Sequence, residues 1–241
     1  MSRQRAMQRF AQWHIWLGWL VGLPILMWTV TGLIMVAKPI EEVRGNHLRK
    51  ANAETLLPAG NPRPISFPVE NPASYTEMRV AMQGDRAVWF LTREDGGIER
   101  YPADDEAAPL PEIDEAYVRA LVAEKISGGG RIARIARFEA AQVPFDFRRP
   151  MPVWQAALDD GTHVYVGAET GEIEAVRTRW WRLFDFVWGL HIMDLETRED
   201  THHPILVLFA AMSVIGALLG CILMFRRRKA RPSAPAKVAA P

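Results

Sequence analysis

Residues 15–36 read Ile15-Trp-Leu-Gly-Trp-Leu-Val-Gly-Leu-Pro-Ile-Leu-Met-Trp-Thr-Val-Thr-Gly-Leu-Ile-Met-Val36, 22 positions without a charged side chain. At 1.5 Å per residue such a helix is about 33 Å long, enough to cross a hydrocarbon core of roughly 30 Å. A second uncharged run, from Ile205 to Phe225, has 21 residues. Read as transmembrane helices, the two runs decide the architecture: two spans enclose one hydrophilic segment. A cleaved signal peptide would have a shorter apolar region, and no A-x-A site precedes Lys38-Pro39.

The averages conceal this arrangement. The chain has 241 residues, 49% of them hydrophobic, a net charge of +1 and a mean hydropathy of −0.06. These values suit a soluble domain and exclude a disordered tail, a collagen-like chain, a many-pass transporter and a basic nucleic-acid binder. Yet residues 1–36 and 204–241 contain no acid and together carry +9, whereas residues 37–203 carry −8. Basic flanks stay in the cytoplasm. Arg3, Arg5 and Arg9 at one end and the run 226–229 at the other therefore predict an inner-membrane protein with both termini cytoplasmic and 37–203 periplasmic. Trp13, Trp16 and Trp19 would be interfacial anchors. The sole cysteine, Cys221, lies in the second span, so the outer domain must hold together without a disulfide.

Within the enclosed segment, proline-rich residues 37–74 read as a linker. Strand patterns follow at 76–82, 86–91 and 98–101, separated by Gly84-Asp85 and by Asp95-Gly96-Gly97. A helix is predicted from about Pro111 to Ile126, with Val118, Leu121, Val122 and Ile126 as its apolar stripe. Gly128-Gly-Gly130 reads as its flexible end. Further strands are predicted at 132–135, 153–158, 162–166 and 172–176. Trp89-Phe-Leu before Gly96-Gly-Ile-Glu matches Val164-Tyr-Val before Gly171-Glu-Ile-Glu at an offset of 75, which suggests a duplicated unit.

Val153-Trp-Gln-Ala-Ala-Leu-Asp-Asp-Gly-Thr-His-Val-Tyr-Val-Gly-Ala-Glu-Thr-Gly-Glu-Ile173 resembles a PepSY domain. The run from Arg9 through His14-Ile-Trp-Leu-Gly18 to Thr31-Gly32 resembles the first helix of PepSY-associated transmembrane proteins; Trp188-Gly-Leu-His191 and the basic exit 225–228 resemble later parts of that family. The resemblance implies an α+β membrane protein, with two transmembrane helices flanking a periplasmic domain of two PepSY-like helix-plus-antiparallel-sheet units. Its divisions would be a cytoplasmic N-terminus 1–14, a span 15–36, a linker 37–74, units 75–110 and 111–178, an interfacial amphipathic helix and loop 179–203, a span 204–225 and a basic tail 226–241. The departures are the missing Gly after Leu190-His191 and a smaller number of spans than larger members have.

Walker, G-x-S-x-G, H-E-x-x-H, C-x-x-C and C-x-x-C-H motifs are absent. The candidate cofactor-binding residues are therefore histidines. His191 continues a Trp180/Phe184/Val187 stripe on one helix face, and His202 and His203 precede the second span. His14 stands at the cytoplasmic rim, where only a second copy of the chain could supply its partner. Some larger relatives are haem-containing reductases of ferric siderophores, so the resemblance implies haem b on His14, His191 and His202 or His203. The competing readings are interfacial or capping histidines and a divalent metal held by His191, Asp194, Glu199, His202 and His203. His47 and His163 read as ordinary polar positions. Gly18 and Gly22, and Ser213, Gly216 and Gly220, form small-residue faces for helix packing, either within the chain, in a homodimer or against a membrane partner. The functional alternatives are an electron-transfer component for periplasmic iron and a non-enzymatic module that binds and regulates another protein. The expected surroundings are membrane lipid, without nucleic acid.

Overall fold

The computed structural model describes residues 2–51, 56–60, 62, 74–104 and 109–227. Most of the proline-rich linker and the basic tail beyond 227 lie outside the described residues. The chain forms two compact units, Met1–Ala37 with Phe184–Pro241, and Lys38–Leu183.

The helical unit contains α1 (Ser2–Met35), the second half of α4 (Arg179–Ile192) and α5 (Pro204–Arg227). Stretches of α1 and α5 are long and apolar enough to cross a membrane, Arg5–Met35 and Pro204–Phe225. α1 starts well before residue 15 because residues 2–14 contain no Gly or Pro and are rich in helix formers, so nothing stops the helix at the first apolar residue. Its least exposed positions include His14, Leu17, Val21, Pro24, Trp28 and Thr31, alternately three and four apart. That spacing is the seam of one helix laid along another. Leu17 meets Gly216, and His14, one turn earlier, meets Gly220, one turn later, so α1 and α5 run antiparallel. Gly18 and Gly22 lie off this seam, exposed, with no atom placed to meet an added Cβ.

The second unit is α+β. Strands β1 (Tyr75–Gln83), β2 (Arg86–Arg93) and β3 (Ile98–Pro102) form one antiparallel sheet in chain order. Strands β4 (Ile132–Phe138), β5 (Val153–Leu158), β6 (His163–Gly167) and β7 (Ile173–Arg177) form another. The 75-residue offset recurs in the backbone, since β3 and β7 begin 75 residues apart and Gly96 and Gly171 both take a left-handed φ, 85° and 64°, but the described residues of 75–110 form strands alone, without the helix expected of a first unit. A short α2 (Ile40–Val43) follows the first span.

Helix α3 (Glu115–Lys125) starts where Asp114 Oδ1 accepts the Tyr117 N–H at 2.8 Å, an N-cap. Its Val118 and Val122, with Ile126, pack on Ala156, Leu158, Val164 and Val166 from one face of the four-stranded sheet. The opposite face is covered by the chain between β4 and β5, through Phe147 against Val153, Tyr165 and Ala175. β6 is therefore buried on both sides, consistent with its aromatic and β-branched sequence. The glycine run after α3 is a close-packed turn and not a flexible end: Gly128 has φ 78°, and a Cβ on Gly129 would fall 1.9 Å from the Val122 carbonyl oxygen. Only glycine permits that approach. The two sheets are joined by Gln83 Nε2 donating to the Thr170 carbonyl at 2.8 Å and by the Ile98 N–H donating to Glu169 at 3.0 Å.

Candidate histidine sites of the helical unit

His14 and His191 are each held on one ring nitrogen. His14 Nδ1 lies 3.1 Å from the Gly216 carbonyl oxygen. A carbonyl only accepts, so Nδ1 carries the proton and Nε2 keeps its lone pair. The ring lies against Gly220, where a Cβ would stand 3.0 Å from His14 Cε1. His191 Nδ1 is 2.8 Å from Thr31 Oγ1. The Thr31 hydroxyl spends its one proton on the preceding turn, at 2.7 Å from the Met27 carbonyl and 3.1 Å from that of Trp28. Nδ1 of His191 must then be the donor, and its Nε2 also keeps a lone pair. Trp28 Nε1 donates to the His191 carbonyl at 2.8 Å, and Gly32 lies beside the ring at 3.7 Å from an added Cβ. One turn of α1 thus grips both the backbone and the side chain of His191.

From residue 14 to residue 31 is 17 positions along one helix, about 26 Å at the α-helical rise. The two imidazoles of one chain are therefore far too distant to share one ion. Fourteen residues beyond Leu17 is Thr31, and fourteen before Gly216 is His202. His202 and His203 thus stand level with Thr31 and with His191, at the start of α5. His203 Nδ1 is buried without a hydrogen-bond partner among the described residues. His202 is exposed, with its backbone N–H donating to Asp200 at 2.8 Å.

The loop from Met193 to His203 is organised by Asp194, a role its sequence position did not announce. The Asp194 carboxylate accepts the N–H groups of Glu196, Thr197, Glu199 and Asp200 at 3.0–3.2 Å, and the Thr197 hydroxyl. The Thr197 hydroxyl and these N–H groups hold its carboxyl well below the usual carboxylate range. Asp185, buried on α4, pairs with Arg198, whose carbonyl accepts Trp188 Nε1 at 3.0 Å. Gly189 permits this fold-back, since a Cβ there would lie 2.8 Å from Arg198 Cγ. An acid and a glycine in an otherwise Trp-rich helix were the available sequence clues. Asp194 is thus occupied as a loop organiser, and among the described residues no group of three or more His, Cys, Asp or Glu side chains is placed to hold a metal ion.

In the α+β unit, His163 is no ordinary polar position. Its Nδ1 lies 2.9 Å from Asp146 Oδ2, and Asp146 Oδ1 accepts the buried Tyr165 hydroxyl at 2.5 Å. Burial raises the Asp146 carboxyl, but the bonds from His163 and Tyr165 outweigh it and hold the group below its ordinary value. His47 is exposed.

Two long apolar helices at the ends of the chain, joined to an α+β unit of antiparallel sheets, define a membrane-associated protein. The chain matches the family model described as the PepSY-associated TM region over residues 11–240 and belongs to that family. No curated protein and no solved structure was found to match it.

Proposed function

We propose that the chain is an inner-membrane electron-transfer component that holds haem b and assists reduction or uptake of periplasmic iron, including ferric siderophores. The two sheets would be PepSY-like units in the periplasm, and both termini would be cytoplasmic, because the acid-free ends carry +9. One observation carries the haem reading: both seam histidines donate through Nδ1, which leaves Nε2 as the nitrogen able to ligate. A fixed Nδ1–H is how proteins set the tautomer and orientation of a ligating imidazole. His191, with His202 or His203 at the same level, would serve an outer site. His14 would serve an inner one with its counterpart from a second copy, for which the open Gly18/Gly22 face offers a packing surface. Haem, when bound, supplies one-electron transfer. The test is the full chain purified after haem-supplemented expression. A reducible Soret band lost in His191→Ala or His14→Ala is expected, and a colourless wild-type protein overturns the reading.

A second reading, a non-enzymatic module that binds a protein partner, is favoured by β1. This edge strand has no neighbour on its outer side among the described residues, and Met78 on it is 48% exposed. Such an edge can accept a strand from another chain. Cross-linking from position 78 to one partner in cells, with a colourless purified protein, would select this reading.

A further inference from the structure

Arg100 is a buried cation without a counter-charge. It stands on β3 opposite Phe90 of β2 and is 8% exposed. Its Nη1 donates to Gln83 Oε1 at 2.8 Å, and its Nη2 donates to the Pro111 carbonyl. Both acceptors are uncharged, and Gln83 spends its own amide nitrogen on the Thr170 carbonyl. Arg100 forms no ion pair among the described residues, and burial pushes its guanidinium below the ordinary value. A guanidinium carries five N–H donors, and two of them are engaged here.

The side chain lines a cavity of about 240 Å³ within the α+β unit, bounded by parts of both sheets and by the segment that leads into α3. The charged groups of its wall are Arg93, Glu99, Arg100, Glu112, Arg137 and Glu169. Arg93 pairs with Glu99 at 3.4 Å, and Arg137 with Glu139 at 3.7 Å. Glu169 accepts the Ile98 N–H at 3.0 Å, and Glu112 is exposed. Neither of these two glutamates forms an ion pair among the described residues. With the internal pairs set aside, the wall presents one buried cation, Arg100, and two carboxylates, Glu112 and Glu169.

Charge of both signs decides the class of ligand. A plain anion would gain Arg100 but face two carboxylates, and a plain cation would face a buried guanidinium. We infer that the cavity binds a small zwitterion of the amino-acid kind, its carboxylate on Arg100 and its ammonium on Glu112. The guanidinium fork matches a carboxylate, and a buried charge gains most from a partner of opposite sign. The volume lies below the roughly 300–1,000 Å³ of sites for drug-sized ligands, which restricts the occupant to a small molecule. The inference goes beyond the electron-transfer reading and does not depend on haem.

Equilibrium dialysis of the full chain in neutral detergent tests it, with radiolabelled alanine and 4-aminobutyrate as zwitterions of two spans, and acetate and ethylamine as their separate halves. At least one zwitterion is expected to bind about tenfold or more tightly than either half, the worth of one charge-assisted hydrogen bond. Glu112→Gln should weaken that zwitterion about tenfold and leave acetate unchanged. Glu112 is exposed and makes no contact that holds the fold, so this variant keeps the test decisive where Arg100→Gln does not fold. Arg100→Gln, where its melting temperature matches wild type, should lose the zwitterion and acetate together. Wild type that binds neither zwitterion more tightly than acetate overturns the proposal, since the cavity would then be a plain anion site or none. Zwitterion binding unchanged in Glu112→Gln, or retained in a folded Arg100→Gln, overturns it as well.

Discussion

Thr31 holds His191 by accepting its Nδ1 proton at 2.8 Å while passing its own hydroxyl proton to the preceding turn of α1. The contact fixes the tautomer of the histidine and the path of α4 at once. Thr31→Val keeps the shape and removes the acceptor. A loss of about 1 kcal/mol is expected for an interhelical bond within a membrane, with Thr31→Ser restoring it. Thermal unfolding of the three proteins in one detergent checks the order. If Thr31→Val melts with wild type, the bond does not stabilise the fold.

The helix seam makes a graded prediction for glycines. An added Cβ meets His14 at 3.0 Å from Gly220, Leu17 at 3.4 Å from Gly216 and His191 at 3.7 Å from Gly32, and meets nothing at Gly18 or Gly22. Gly220→Ala should therefore destabilise most, by about 1–3 kcal/mol for overpacking, with Gly216→Ala and Gly32→Ala nearly neutral. Gly18→Leu with Gly22→Leu should leave the melting temperature of the monomer alone. If the chain associates through that face, the pair should convert dimer to monomer in light scattering.

Asp185 and Arg198 form a buried ion pair, their side chains 7% and 16% exposed. Removing one partner strands a buried charge, so Arg198→Ala should cost about 3 kcal/mol or more, whereas Asp185→Leu with Arg198→Met should recover much of the loss. Chemical unfolding of the single and double variants measures the difference. A double variant as unstable as the single one would show that the fold-back depends on the charges themselves.

The pH dependence has a definite sign. Asp194 and Asp146 are both held below their ordinary values. A carboxylate depressed in the folded state contributes its full stabilisation above the unfolded value, about pH 4, and loses it as pH falls through the folded one. Amide exchange of residues 194–200 should be flat from neutral pH to about 4, after correction for intrinsic rates, and rise below it. Asp194→Asn should remove most of that acid-side rise and loosen the loop at every pH.

The covering strap on the four-stranded sheet hangs on Asp146. Asp146→Ala leaves the Tyr165 hydroxyl without that acceptor and should destabilise the α+β unit by about 1–3 kcal/mol. Tyr165→Phe should cost less, because it deletes the donor along with its need. Increased protease cleavage within residues 139–152 of Asp146→Ala, but not of Tyr165→Phe, is the expected pattern.

Most of the elements were legible in the sequence because each obeys a local rule. Absence of charge over twenty or more residues marked the spans. Alternation and Gly-centred turns marked the strands: the prediction of 153–158 coincides with β5, and 86–91 falls short of β2 by two residues. The stripe of Val118, Val122 and Ile126 marked the buried face of α3. α1 begins well before the predicted span 15–36, because hydropathy marks where a membrane could begin, whereas backbone hydrogen bonding decides where a helix does.

The site was legible only as residue types. Three decisions belonged to the tertiary structure: which nitrogen of His14 and His191 is held, that Asp194 organises a loop and is not free to ligate, and that Gly216 and Gly220, not Gly18 and Gly22, face the other span. The histidine and glycine contacts join groups up to 202 positions apart, brought together by the packing of α1, α4 and α5, whereas the Asp194 bonds reach only 2 to 6 positions but need the loop's particular turn. By itself the sequence determined where the chain is apolar, where it turns and how its charge is sorted, since those follow from solvent preference and local backbone geometry. Partnership among buried polar groups was decided by the fold, because a hydrogen bond needs a direction and a distance that composition and spacing do not contain.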